Sequence, residues 1–151
     1  MGTRSTITFI GKVGDKEIPY VRIYQQYDGY LSGVGLDLIR WLQKKNIVNG
    51  ISDYTSDIAN GLGCLAAQYI RDYKYGVGDL YIDPIDSDLK FIDYNYDVVF
   101  DILASIDPKG NKQPATDFIT FRVNNWGKDP FFVGSPEELE KYIREEMEEE
   151  H

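Results

Sequence analysis

Apolar and polar positions alternate near the N-terminus of the chain. Ile7 and Phe9 mark one side of a segment from Ser5 to Lys12, and Gly14-Asp15 supplies a turn. Tyr20 to Gln26 then alternates again, with Val21 and Ile23 on one face and Arg22, Tyr24 and Gln26 on the other. This period of two predicts a β-hairpin. The stretch from Tyr27 to Gly35 interrupts it with Gly29, Gly33 and Gly35 and reads as a loop. From about Gly35 to Lys45 the period becomes helical, with Leu38, Ile39, Trp41 and Leu42 on one face and Lys44-Lys45 suiting the C-terminal end of the dipole. Ser52 to Ala59 fits a short helix or an irregular segment. A better helix opens at Asn60-Gly61 and carries Leu62, Leu65, Ala66, Tyr69, Ile70 and Tyr73 on one stripe before Gly76 and Gly78 end it.

The second half is rich in strand patterns. Leu80 to Ile82 predicts a short strand. Phe91 to Phe100 predicts a longer one, with Ile92, Tyr94, Tyr96, Val98 and Phe100 facing the core and Asp93, Asn95 and Asp97 forming a wet side. It continues or bends through Ile102 and Leu103. Asp107-Pro108-Lys109-Gly110-Asn111 is turn chemistry; Asp117 to Val123 returns as a strand, and Phe131 to Val133 reads as an edge strand. Ser135, Pro136 and Glu138 form the start of a last helix, a capping box with proline at the first helical position, and Leu139, Tyr142, Ile143 and Met147 give it an apolar side. Its acidic end, within 136–151, is expected to fray. Together these elements predict one α+β domain over residues 1–151, a mainly antiparallel sheet of about five or six strands packed with about three helices.

Composition narrows the chemistry. The chain has 151 residues, 25 acidic against 16 basic, for a formal charge of −9. That field repels phosphate backbones and argues against non-specific nucleic-acid binding. No stretch reaches the ~18 consecutive apolar residues of a membrane helix, and the N-terminus lacks a secretory pattern. One cysteine, Cys64, allows no intrachain disulfide and suits a reducing, cytoplasmic setting. The one histidine is the terminal His151, which removes Ser/His/Asp triads, Cys/His pairs and His-based zinc sites. No catalytic residue, metal ligand or cofactor is therefore assigned.

The remaining chemistry centres on the glycine-rich stretch. A strand ending in Arg22-Ile23-Tyr24-Gln25-Gln26 runs through Tyr27-Asp28-Gly29-Tyr30 and Ser32-Gly33-Val34-Gly35 into a helix. Backbone amides at such a helix start cradle anions, and glycines admit them closely. The stretch matches neither a P-loop nor the dinucleotide fingerprint, and a tight strand-to-helix connection explains the same glycines. Asn60-Gly61-Leu62-Gly63 is a second possible cradle. Cys64 near that helix start fits a packing residue better than a reactive thiolate. Asp79, Asp83, Asp86 and Asp88 lack the order of a calcium loop and read as solvated charge. The tyrosines Tyr24, Tyr27, Tyr30, Tyr94 and Tyr96 fit a stacking surface, a half-wet sheet or an oligomer contact.

The residues Gly2-Thr3-Arg4, the Tyr24-x-x-x-Asp28-x-Tyr30-x-x-Gly33-x-Gly35 stretch and Asn60-Gly61-x-Gly63-Cys64-Leu65-Ala66-Ala67-Gln68 resemble a family of short proteins found in phages, giant DNA viruses and some cellular genomes. The resemblance covers about the first half of the chain. No established activity comes with it, and it implies a viral source acting in the host cytoplasm. The leading expectation is a non-enzymatic binding protein that sequesters a small anionic, nucleotide-like ligand such as a host-defence signal. Arg4 and Arg22 would neutralise charge, and Ser32, Gly33, Gly35, Asn60 and Gly63 would line the anion cradle. Tyr24, Tyr27 and Tyr30 would stack, Gln25, Gln26 and Gln68 would read polar edges by hydrogen bonding, and Asp28 belongs to the same ligand-binding set. The alternative is a structural or protein-interaction module, homo-oligomeric or bound to a host protein; a carboxylate- or metal-dependent hydrolase ranks last.

Overall fold

The computed structural model describes residues 2–50 and 57–149. His151, and the larger part of the Ser52 to Ala59 segment, lie outside the described residues. The elements follow in chain order: β1 (Ser5–Val13), β2 (Lys16–Gln25), a π-helical turn (Leu31–Gly35), α1 (Leu36–Gln43), β3 (Asn46–Val48), β4 (Ile58–Asn60), α2 (Gly61–Tyr73) and β5 (Leu80–Asp83). Then come β6 (Tyr94–Asp101), the one-turn α3 (Ile102–Ser105), β7 (Gln113–Pro114), a 3-10 turn (Ala115–Phe118), β8 (Ile119–Asn124), β9 (Phe132–Gly134) and α4 (Pro136–Glu149). The main sheet has six strands in the order β5-β2-β1-β6-β8-β9, and a small second sheet has the order β4-β3-β7.

The fold is α+β, as the patterning predicts. The main sheet is mixed: β1 pairs with β6 in parallel, whereas the other four ladders are antiparallel. The β1–β2 hairpin turns at Gly14, whose φ of +61° is accessible to glycine at little steric cost. A register shift lies between Phe9 and Ile10, leaving Tyr20 as the extra residue of a bulge. The bulge sits beside Pro19, which has no N–H for a ladder bond, and β5 pairs only from Arg22 onward, so Pro19 lies on open edge.

One face of the sheet carries Ile7, Phe9, Ile23, Tyr96, Val98, Phe100, Phe121 and Val123, all buried in the core with the helices. Leu38, Ile39, Trp41 and Leu42 of α1, Leu62, Leu65, Ala66 and Tyr69 of α2, and Leu139 and Ile143 of α4 complete that core. The opposite face is not the wet side expected for Asn95 and Asp97. The connection from β5 to β6 crosses it, so Thr6, Thr8, Arg22 and Asn95 are buried there. Buried polar groups must find partners. Thr6 donates to Asn95 at 2.7 Å, Asn95 donates to Asn124 at 2.8 Å, and Arg22 donates to Thr8 at 2.9 Å and to the Ser87 carbonyl and hydroxyl at 3.0 Å. Burial pushes the Asp97 carboxyl up, against the pull of Arg122 and Arg22.

The last helix follows its signal closely. The Glu138 N–H donates to Ser135 Oγ at 3.1 Å, and the Ser135 N–H donates to Glu138 Oε1 at 2.9 Å, the reciprocal pair of a capping box.

Candidate functional site

The glycine-rich stretch is built inward rather than outward. None of Gly29, Gly33 and Gly35 has a positive φ; Asp28 does, at +59°. Close approach explains the glycines instead. A Cβ on Gly29 would lie 2.6 Å from Ser5 Cβ, one on Gly33 would collide with the Asp28 carbonyl, and one on Gly35 would lie 3.2 Å from the Tyr96 hydroxyl. The backbone amides are already occupied. Gly29 N–H donates to the Thr3 carbonyl at 3.0 Å, Gly33 N–H to Tyr30 at 2.9 Å and Val34 N–H to Asp28 at 2.8 Å, while Leu36 N–H reaches the Gly33 and Leu31 carbonyls. A π-helical first turn thus consumes the donors that an ordinary helix start leaves open. Tyr96 pins the loop from below, its hydroxyl donating to the Gly29 carbonyl at 2.8 Å.

The positive hollow expected from two arginines and two helix starts is not formed. Arg22 is 9 % exposed and committed to Thr8 and Ser87 on the polar face of the sheet. Arg4 is exposed at the head of β1, where its backbone N–H donates to Asp93 at 2.9 Å. The start of α2 lies elsewhere. Gly63 shares an apolar cavity of about 270 Å³ with Tyr20, Val21, Ala66, Ala67 and Ile70, several residues back along β2 from the loop. Asn60 accepts from the Gly50 N–H at 3.1 Å, and Gln68 donates to the Ile58 carbonyl at 2.9 Å, so both brace the α2 start. Ser32 is exposed on the π-helical turn. The tyrosines do not make one stacking surface. Tyr96 is buried, Tyr24 packs on Tyr81 with ring centres 5.9 Å apart, and Tyr27 and Tyr30 project from the loop.

What the loop does build is a cavity of about 420 Å³ lined by Gln25, Tyr27, Asp28, Tyr73, Tyr75 and Asp79. Three elements position it. The end of β2 brings Gln25, held by Tyr69, whose hydroxyl donates to Gln25 Oε1 at 2.9 Å. The end of α2 brings Tyr73, stacked on Tyr69 at 4.5 Å between ring centres. The approach to β5 brings Asp79, whose carbonyl accepts from the Gln26 N–H at 3.2 Å and whose φ is +66°. Gln26, expected to read a ligand edge, is tied to Asp79 through its backbone and does not line the cavity. Burial, Asp37, Tyr75 and Asp72, in that order, push the Tyr73 phenol up to about 12, so it is a neutral donor at physiological pH.

The lining carries two carboxylates, three phenols and no basic side chain. The neighbouring Lys74 ammonium is held by the Gly78 carbonyl at 2.7 Å and lies 5.6 Å from the Tyr81 ring centre. Such a site attracts a cation, through its carboxylates and through the negative faces of its rings, and repels a phosphate. Of the lining, Gln25, Tyr27 and Asp28 are expected ligand residues, whereas the sequence puts Tyr73 on the apolar stripe of α2, reads Asp79 as solvated charge and does not single out Tyr75. No local signal says that β5 lies beside β2, and that pairing is what brings Asp79 to the loop.

Two other polar clusters answer their own charges. A cavity of about 210 Å³ on the far face includes Lys12, Glu17, Asp101 and Arg122, but Glu17 grips the Arg122 guanidinium through two bonds of 2.9 and 2.8 Å. Lys45, 5 % exposed, lies 3.7 Å from Asp72 and 4.8 Å from the Trp41 ring centre. Burial pulls its ammonium down, and Asp72 partly offsets that. Asp72 also accepts from Trp41 Nε1 and from Arg71, each at 2.8 Å. Among the described residues, no group of three or more His, Cys, Asp or Glu side chains is placed to hold a metal ion. Nor does any described helix have the length and apolarity to cross a membrane. No protein-family model matches the chain, and neither a curated protein nor a solved structure shows significant similarity to it.

Proposed function

We propose that the chain is a non-enzymatic binding protein whose ligand presents a positively charged group to the cavity between the glycine-rich loop and the end of α2. One observation carries this reading: Tyr27, Tyr73 and Tyr75 surround the same space as Asp28 and Asp79. Aromatic faces with adjacent carboxylates are the usual means of holding an ammonium or guanidinium, because the rings tolerate a partly dehydrated cation. The class of function expected from the sequence is kept; the charge of the ligand is reversed, because Arg4 and Arg22 do not reach the cavity.

The test is a thermal-shift screen that sets small cations (agmatine, tetramethylammonium, N-acetyl-lysine methylamide) against anions (adenosine monophosphate, ADP-ribose). A cation at ten times its Kd stabilises the folded state by about 1.4 kcal/mol. For a chain of this size that raises Tm by about 3–6 °C. Asp28→Asn and Tyr73→Ala should each abolish the shift. Stabilisation by the anions alone would end the reading.

A further inference from the structure

We propose that the open edge of β5 receives an extended, basic segment of a partner polypeptide by strand addition, and that a lysine or arginine of that segment is the cation seated in the tyrosine cavity. The inference rests on the cation reading of that cavity and names its ligand. β5 is the end strand of the main sheet and, among the described residues, pairs on one side only, with β2. The Asp79 carbonyl faces β2, where it accepts from Gln26. Strand backbone groups alternate in direction, so those of Leu80 and Ile82 face outward. The Leu80 N–H turns back to the Gly78 carbonyl at 2.8 Å, and among the described residues the Leu80 carbonyl and both groups of Ile82 are left to a further strand.

The side chains along this edge are unusually apolar for a surface. Ile82 is 62 % exposed, Val77 is fully exposed, and Tyr75, Tyr81 and Ile85 are exposed beside them. Edge strands are commonly blunted by lysine or proline within the strand. Leu80-Tyr81-Ile82-Asp83 has neither, although its four residues make it short. A short ladder supplies few hydrogen bonds, so a partner needs an additional anchor. The cavity opens at the N-terminal end of the same strand, where Asp79, the residue before Leu80, lines it.

Charge selects the occupant. Asp79 precedes the edge strand, Asp83 ends it and Asp28 lines the same cavity, while the nearby cations are engaged, Lys74 by the Gly78 carbonyl and Arg22 by Thr8 and Ser87 on the polar face. A second copy would bring the same carboxylates and another −9 net charge to the edge. A lysine- or arginine-bearing segment meets those charges with opposite sign, with apolar residues in alternate positions to cover Ile82 and Tyr81.

The test uses the full chain and three labelled, acetylated heptapeptides: valine alternating with lysine, valine alternating with glutamate, and the lysine peptide with a central proline. Binding is read by fluorescence anisotropy, with N-acetyl-lysine methylamide as the small-cation control. The lysine peptide should bind at least about tenfold more tightly than the control, a difference of about 1.4 kcal/mol. The other two peptides should not bind. Ile82→Pro, which removes the outward N–H, and Asp79→Asn, which keeps a residue tolerant of positive φ, should each weaken the lysine peptide by about tenfold or more. If the control binds and Asp28→Asn abolishes that binding, but the lysine peptide binds no better, strand addition is overturned and the cation site stands. If neither binds, both fall. A concentration-dependent dimer in sedimentation that Ile82→Pro dissolves would assign the edge to a second copy and overturn the proposal.

Discussion

Tyr96→Phe isolates the bond that holds the glycine-rich loop. Tyr96 is fully buried, and its hydroxyl donates to the buried Gly29 carbonyl at 2.8 Å. Burial pushes this phenol well above its ordinary range, so it remains a donor at any pH at which the protein is handled. Phenylalanine fills the same volume and strands the carbonyl without a partner. Leaving a buried acceptor unsatisfied costs about 1–3 kcal/mol. A chain of this length loses about 2–4 °C of Tm per kcal/mol, so the fall should be about 2–12 °C. Urea denaturation at pH 7 measures the difference directly, with Tyr30→Phe as the control. The Tyr30 hydroxyl reaches Asp28 at 3.4 Å on an exposed loop, and its loss should change stability by less than about 0.5 kcal/mol. Amide exchange should also quicken at Val34, whose N–H is bonded within the loop. If Tyr96→Phe and Tyr30→Phe had the same small effect, the loop would not be anchored through Gly29, and the account of its glycines as packing residues would fail.

Ser135→Ala removes the N-cap of α4 and should cost about 1 kcal/mol in urea unfolding, a loss that Ser135→Asp should largely restore. Asp72→Ala takes from the buried Lys45 its 3.7 Å carboxylate and from Trp41 its acceptor. It should destabilise by about 2 kcal/mol, below the roughly 3–5 kcal/mol of a fully buried broken pair, because Asp72 is partly exposed and Asp57 also acts on Lys45; a loss under about 0.5 kcal/mol would refute the pairing. Asp97 has a folded-state pKa above its unfolded value, so its contribution is greatest when protonated and is lost as pH rises through the folded pKa. The stability difference between wild type and Asp97→Asn should therefore move in favour of wild type on acidification from pH 7 toward pH 4. A gap that stays constant would show that Asp97 is not desolvated.

Periodicity and end signals made most of the elements legible. The capping box marked α4, and the Gly61 start and Tyr73 end of α2 coincide with the sequence pattern. The strand over Phe91 to Phe100 begins three residues later than expected, at Tyr94, and ends in the α3 turn, because Asp101 accepts from the Ala104 N–H and caps a helical turn there. The third helix in the expected count is joined by this short fourth. β3, β4 and β7 are two or three residues each, too short for any period to show. Pairing was the larger gap. Nothing local announces that β1 joins β6 in parallel, or that the β5–β6 connection covers Asn95 and Asp97. The site suffered for the same reason: its loop was visible in the glycines, but the acidic neighbour Asp79 came from a strand pairing.

The parallel β1–β6 ladder also sets the order in which the molecule can be completed. Thr6 and Asn95, 89 residues apart, are joined in the centre of the sheet. As synthesis proceeds, the first hairpin emerges early, yet β1 has no ladder partner on its inner edge until β6 leaves the ribosome. Connections of this range make folding slow and leave oily strands uncovered meanwhile. A nascent chain halted between β5 and β6 should remain sticky and dependent on chaperones, and should acquire protease resistance only after residue 124 is free of the exit tunnel.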